Sequence, residues 1–137
     1  MYIEMVRTKI HQARVTGADI NYVGSIGIDT DLIVAARMYP YEKVLVVDLE
    51  NGNRLETYII PAPAGSGEVS LNGAAARLVS PGDRIIIMSF VNVPFPPPAD
   101  WEPRVLIMNS RDNSILEVRG PETWPALDAA ARQEGRL

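Results

Sequence analysis

Residues 42–60 read EKVLVVDLENGNRLETYII, from Glu42 to Ile60, and their pattern sets the fold class. Glu42 to Leu49 and Arg54 to Ile60 are rich in Val, Leu, Ile and Thr, the composition of half-buried strands. Between them, Glu50-Asn51-Gly52-Asn53 carries the Asn-Gly pair that tolerates the positive φ of a tight turn. The pattern predicts a β-hairpin. Along its second arm a two-residue period puts Arg54, Glu56 and Tyr58 on one face and Leu55, Thr57 and Ile59 on the other.

Towards the N-terminus, Asp29 to Met38 reads as a short helix capped by Asp29 or Thr30 and stopped before Pro40. Leu32, Ile33, Ala36 and Met38 supply its apolar stripe. Met5 to Val15 is predicted to be extended, from its β-branched residues Val6, Thr8, Ile10 and Val15, with Lys9 and His11 sharing a face. Gly17-Ala18-Asp19 reads as a turn and Ile20 to Val23 as a short strand, which Gly24-Ser25 interrupts with a sharp bend.

Towards the C-terminus, Pro61 to Gly67 is a predicted loop and Glu68 to Leu71 a strand. The small residues of Asn72-Gly73-Ala74-Ala75-Ala76 permit close backbone approach or a short helical turn. Pro81-Gly82-Asp83 turns the chain into a strand over Arg84 to Val93. The proline run from Val93 to Asp100 is expected to be extended and partly polyproline-like. Arg104 to Met108 and Ile115 to Val118 form a second predicted hairpin around Arg111-Asp112-Asn113. A loose helix over Thr123 to Gln133 and a frayed end at Glu134 to Leu137 make residues 120–137 a tail. Six to eight short strands with two short helical pieces match a closed or nearly closed β-barrel, in a single domain spanning residues 1–137.

The 137 residues are one domain's worth, and an apolar fraction of 47% suffices for a packed core. With 13 Lys and Arg against 17 Asp and Glu, a net charge of -4 argues against a nucleic-acid partner, which needs a basic footprint. The chain has no Cys, which excludes disulfides, thiolate metal sites and a cysteine nucleophile, and fits a reducing cytosol. Glu4 and Arg7 interrupt the apolar residues of Met1 to Thr8, unlike a signal peptide. Ile85 to Pro98 falls short of the roughly 20 apolar residues that span a bilayer, so neither export nor membrane insertion is expected. No repeat period emerges.

Familiar catalytic constellations are missing. A single His cannot build a His-rich metal site, and HExxH, Walker and GxSxG patterns are absent. No residue context supports a Ser-His-Asp triad around His11, and Gly24-Ser25-Ile26-Gly27 lacks the basic partner of a phosphate loop. What remains is Tyr22-Val23-Gly24-Ser25-Ile26-Gly27-Ile28-Asp29, together with Lys9-Ile10-His11, Arg54-Leu55-Glu56-Thr57-Tyr58 and Asn72-Gly73-Ala74-Ala75-Ala76. This ordered set resembles the pyruvoyl-dependent aspartate 1-decarboxylase family, without a gap from about Arg7 to Phe90.

The resemblance implies a double-psi β-barrel with short helices, assembled as a homotetramer with active sites between neighbouring subunits. It also implies self-processing at Gly24-Ser25, giving residues 1–24 as a β chain and 25–137 as an α chain. In this family an N-to-O acyl shift converts the peptide bond to an ester, and elimination leaves dehydroalanine, which hydrolyses to a pyruvoyl group. Such a ketone forms a Schiff base with an amine and draws off the electrons released with carbon dioxide, a task no standard side chain performs. A glycine before the serine leaves its carbonyl open to attack and tolerates strain.

The implied substrate is L-aspartate, and the product β-alanine feeds pantothenate synthesis in the cytoplasm. A substrate with two carboxylates needs cationic anchors: Arg54 for a bidentate pair and Lys9 as a point charge. By the same resemblance Tyr58 donates the proton after decarboxylation, and Thr57 and Asn72 assist processing by hydrogen bonding to the displaced carbonyl. Gly73, Ala74 and Ala75 offer backbone N–H groups to substrate, and Tyr22, His11 and Thr57 line the site. No metal, nucleic acid or membrane is implied, and these motifs specify no helper protein for maturation.

Arg77 stands where many relatives carry His, and Val47 where an aromatic residue sometimes occurs. Neither carries the implied chemistry. The alternative reading is a non-enzymatic oligomeric β-barrel that binds a small anionic metabolite through Arg54 and Lys9 without processing. A swapped-hairpin DNA-binding regulator comes last, because the chain is acidic and lacks a basic cluster.

Overall fold

The computed structural model describes residues 1–125 and Leu127. The chain runs through β1 (Tyr2–Arg14), β2 (Gly17–Asp19), β3 (Ser25–Asp29), α1 (Thr30–Ala36), β4 (Lys43–Asp48), β5 (Arg54–Ala62) and β6 (Val69–Asn72). A 3-10 turn over Gly73–Arg77 follows, then β7 (Arg84–Pro94), β8 (Arg104–Asn109) and β9 (Ser114–Arg119). The nine strands form one sheet in the order β2-β6-β3-β5-β4-β7-β1-β8-β9. Strand pairings that skip across chain order are what the double-psi β-barrel requires.

The Asn51-Gly52 hairpin forms as predicted, with Lys43 opposite Tyr58, Val47 opposite Arg54, and Gly52 at φ 75. On β5 the predicted alternation is present: Arg54 and Glu56 are exposed, Leu55 is half-buried and Ile59 is fully buried. The long β1 pairs antiparallel with β7 and parallel with β8, bending where its register shifts between Val6 and Thr8 and between His11 and Ala13.

Hydrogen bonds through buried side chains draw distant ends of the sheet together. Asn113, in the β8–β9 turn, accepts from Arg14 N–H at 2.7 Å and donates at 2.9 Å to the carbonyls of both Arg14 and Gly67. Thr16 N–H donates to the Val69 carbonyl at 2.7 Å, and Val15 N–H to the Asp83 carbonyl at 2.8 Å. Inside lie Ile10, Ile26, Ile28, Val44, Val46, Ile59, Val69, Leu71, Ile85, Ile87 and Leu106, each fully or almost fully buried. At roughly 1.5–3 kcal/mol per buried aliphatic side chain, this core is the main driving force for closure.

Helix α1 covers one opening of the barrel with Leu32, Ile33 and Ala36, which are buried as predicted, as is Met38. Asp29 caps it, accepting from Asp31 N–H at 2.8 Å, and the same carboxylate takes the N–H groups of Gly65 and Gly67. One acidic side chain thus fixes both a helix start and the loop that follows β5; the loop predicted from Pro61 begins only at Pro63, because Pro61 and Ala62 pair with Ile28 and Asp29 of β3. The helix is shorter than predicted: Arg37 adopts φ 59 and ends it.

Four local predictions are corrected. Gly17–Asp19, expected as a turn, is strand β2, paired in parallel with Ser70 to Asn72; Ile20 to Val23, expected as a strand, is irregular. The strand begins at Ser25 instead of stopping there, because β3 finds partners on both sides, β5 and β6. Short-range propensity cannot see such distant partners. The proline run is extended only to Pro94, where β7 ends, and then bends.

The segment after β9 folds back onto the barrel. Trp124 stacks on Trp101 with ring centroids 6.4 Å apart, donates from Nε1 to the Glu102 carbonyl at 3.1 Å, and lies 5.6 Å beneath the Arg7 guanidinium. Most of the predicted terminal helix, Thr123 to Gln133, and all of Glu134 to Leu137 fall outside the described residues.

Candidate active site

Ser25 is the first residue of a strand held between two others, and only 1% of it is exposed. Its register partner on β6 is Asn72. The Asn72 side chain donates from Nδ2 to Ser25 Oγ at 3.2 Å, and the Ser25 hydroxyl donates to the Val23 carbonyl at 3.4 Å. A serine oxygen is therefore oriented within the peptide segment that precedes it. The Asn72 amide, which the resemblance assigns to the carbonyl displaced during processing, contacts the hydroxyl oxygen in the uncut chain.

The 3-10 turn presses on the same segment from the β6 side. Gly73 has φ +68, and a Cβ built there would stand 2.7 Å from Gly24 Cα, 3.0 Å from Gly24 N and 3.3 Å from the Tyr22 carbonyl. Only glycine fits both the backbone angle and the space. Ala74 and Ala75 follow directly, the first exposed and the second half-buried. A cleft of about 260 Å³ opens beside these groups, lined among others by Tyr22, Gly27, Asn72, Asp19, Glu68 and Ser70.

Thr57 and Tyr58 approach from the opposite neighbour. β3 and β5 run parallel with Ile26 beside Ile59, and the residues one step earlier on each strand are Ser25 and Tyr58. Both Thr57 and Tyr58 are half-buried and border a shallow cleft with Lys43 and Glu56, whose charged ends pair at 2.8 Å. The structure thus brings Tyr22, Gly24, Ser25, Asn72, Gly73, Thr57 and Tyr58 into one neighbourhood around β3.

The remaining predicted residues lie elsewhere on the protomer. Arg54 sits at the beginning of β5, opposite Val47, and is exposed. Lys9 and His11 are on β1, beside Met88 and Ile86 of β7, so β4 and β7 separate them from β5 in the sheet. His11 Nδ1 is buried with no hydrogen-bond partner among the described residues. Burial, and secondarily the Lys9 charge, lower its pKa, so the imidazole is neutral at pH 7.

Asp19, Glu68 and Ser70 line the cleft beside Tyr22 and Asn72 yet escape the sequence reading. They arrive on β2 and β6, whose pairings with each other and with β3 cross the chain order.

A family profile described as aspartate decarboxylase matches residues 1–115. The chain belongs to the aspartate decarboxylase family. An aspartate 1-decarboxylase of Moorella thermoacetica is 52% identical over 122 residues, covering 89% of this chain and 94% of that protein. Its counterpart in Neisseria meningitidis is 50% identical over 125 residues, covering 90% and 98%. That of Bacillus subtilis is 52% identical over 122 residues, covering 89% and 95%. The aspartate decarboxylase match encloses every site residue from Lys9 to Ala75, while Trp124 and its contacts lie beyond residue 115.

Proposed function

We propose that the chain decarboxylates L-aspartate to β-alanine and carbon dioxide, supplying pantothenate synthesis, after cleaving itself between Gly24 and Ser25. Family membership and the aspartate 1-decarboxylases that match nearly end to end support the reaction. The observation that carries the cleavage is the buried Ser25 Oγ, with Asn72 Nδ2 at 3.2 Å and Gly73 packed against Gly24. These residues fit a serine that attacks the carbonyl before it. The Oγ–C bond forms as the C–N bond breaks, and the freed nitrogen takes a proton.

A pyruvoyl group derived from Ser25 supplies an electron sink for decarboxylation. The residues fit it: a buried serine position, a side-chain amide directed at it, and a glycine-lined approach from the 3-10 turn. Around it, Tyr58 delivers a proton to the carbon that loses carbon dioxide. Arg54 and Lys9 anchor carboxylates, the guanidinium through a planar pair and the ammonium as a point charge. Gly73, Ala74 and Ala75 present backbone N–H groups, and Thr57, Tyr22 and His11 complete the walls.

Lys9 and His11 are separated from β5 by two strands, β4 and β7, in the protomer, which favours a site completed across subunits. A homotetramer of processed protomers accounts for this. A cytoplasmic location belongs to the same reading, through the pantothenate synthesis that the product supplies; separately, among the described residues no helix is long and apolar enough to cross a membrane.

Denaturing mass spectrometry of the purified, active protein tests the reading. The expected products are residues 1–24 and a chain beginning at position 25 with a blocked, carbonyl-bearing end. Full decarboxylase activity from a preparation that shows only the intact 15.0 kDa chain would overturn it.

A further inference from the structure

Tyr41 is a large, 75% exposed side chain on a backbone with φ 68, an angle that bulky residues rarely adopt. Strained positions persist where the surroundings over-determine them. Here two backbone hydrogen bonds do so. Tyr41 N–H donates to the Ile59 carbonyl at 2.7 Å, and Ile59 N–H donates to the Glu42 carbonyl at 3.0 Å. The tight connection from α1 into β4 is thereby clamped to β5 one residue beyond Tyr58.

The clamp sets the Tyr41 ring against the Tyr58 ring, with centroids 6.4 Å apart and planes inclined by 25°. That distance and angle lie within the range of an offset aromatic stack. Tyr58 is only half-buried, and its neighbour across the hairpin, Lys43, is tied to Glu56 at 2.8 Å. An aromatic plane on one side therefore restricts a ring that solvent would otherwise leave free to change rotamer. Within the protomer burial does not explain Tyr41, most of whose surface is uncovered there.

We propose that Tyr41 is a positioning residue for Tyr58, fixing the direction from which the phenol delivers its proton. The inference rests on the reading of Tyr58 as proton donor. In that step the C–CO2 bond breaks, its electron pair stays on carbon, a C–H bond forms with the phenolic proton, and solvent reprotonates the phenolate. Tyr41 takes no part in the proton transfer; it limits where the hydroxyl points.

The test compares Tyr41→Gly, Tyr41→Phe and Tyr58→Phe in the full-length processed protein. Glycine suits φ 68 and leaves the clamp's backbone bonds available, and phenylalanine keeps the stacking ring. Each variant is measured for cleavage by mass spectrometry, for kcat and KM separately, and for the configuration of the singly deuterated β-alanine formed in D2O. Tyr41→Gly is expected to cleave fully, keep its KM, lose about tenfold to a hundredfold in kcat and give mixed deuterium configuration. Tyr41→Phe is expected to retain both rate and a single configuration.

Wild-type kcat or a single configuration in Tyr41→Gly overturns the proposal, as does a loss that falls wholly on KM. The third variant separates the two readings. Full turnover by Tyr58→Phe overturns the role of Tyr58 and any positioning by Tyr41 with it. Loss of turnover in Tyr58→Phe beside an unaffected Tyr41→Gly overturns Tyr41 alone.

Discussion

Gly73 approaches Gly24 so closely that a Cβ on the former would stand 2.7 Å from the Cα of the latter. The 3-10 turn after β6 is thus in backbone contact with the residue before Ser25, and the two glycines make that contact possible. Gly73→Ala meets two obstacles at once, the φ of +68 and the Gly24 backbone. The left-handed backbone alone costs about 1–2 kcal/mol in an L-residue, and steric relief has to come from the turn or the cleavage segment. We predict a folded barrel by circular dichroism whose Gly24–Ser25 bond is cut more than about tenfold more slowly. Cleavage at the wild-type rate would show that this contact does not shape the processing segment.

The Asn72 amide provides a second test. Removing a partially buried donor from Ser25 Oγ costs about 1–3 kcal/mol, or roughly tenfold to a hundredfold in rate if the bond persists in the transition state. Asn72→Ala should therefore accumulate uncut chain, read by denaturing mass spectrometry over time. Asn72→Asp replaces the donor by an acceptor and should process no faster. Equal rates in wild type and Asn72→Ala would limit Asn72 to a role after maturation.

Acidic groups outside the site give the fold a pH signature. Asp48, at the end of β4, is 1% exposed, and burial, with a hydrogen bond to Asp83, pushes its pKa up to about 6. The same hydrogen bond, aided by Ser80 N–H, holds Asp83 below the ordinary carboxylate range. Of the two carboxyls, Asp48 is the one that holds a proton to higher pH. Because folded Asp48 keeps its proton to a higher pH than unfolded Asp48, its contribution to stability is full below pH 4 and is lost as pH rises through 6. Asp83 acts in the opposite sense: its contribution is present above the ordinary pKa and is lost at lower pH. We predict a Tm that declines between pH 4 and pH 6 in wild type and is flatter over that window in Asp48→Asn, which does not titrate. Parallel curves for the two proteins would remove Asp48 as the cause.

The strands that alternate or carry strong turns were legible from the residues alone. The 42–60 hairpin, the extended β1 and the long β7 all follow from local pattern. Around Ser25 that logic fails. Ser25–Asp29 is buried at every position, so no alternation marks it, and its partners lie about 30 and 45 residues away on β5 and β6. Gly17–Asp19 reads as a turn for the same reason, since β6 supplies the pairing that its composition does not favour. Gly24, Ser25, Thr57, Tyr58 and Asn72 were recognisable as an ordered set, and the fold places them together. Tyr41 had no sequence signal, because its contact with Tyr58 depends on a positive φ that nothing in Tyr39-Pro40-Tyr41-Glu42 requires.

The end of α1 depends on side chains from distant strands, and this yields a stability test separate from the chemistry. With no basic residue in its last turn, the helix presents carbonyls that require partners. Arg104 Nε donates to Ala35 O at 2.6 Å, Thr8 Oγ1 to Ala36 O at 2.7 Å, and Arg7 Nη1 to Arg37 O. Arg7 also pairs with Glu42 at 2.6 Å, whereas Arg104 is 7% exposed and spends its donors on the carbonyls of Ala35 and Pro121. Burial, and secondarily Arg37, lower the Arg104 pKa, yet a guanidinium stays charged at neutral pH and favours the negative end of the helix. Replacing Arg104 by Leu leaves the helix-end carbonyl at Ala35 without this donor, at a cost of about 1–3 kcal/mol. Denaturant unfolding should show that loss with an unchanged m-value, while cleavage at Ser25 goes to completion, because β8 does not adjoin β3, β5 or β6. A variant that unfolds as wild type does would mean that water replaces the arginine at the helix end without penalty.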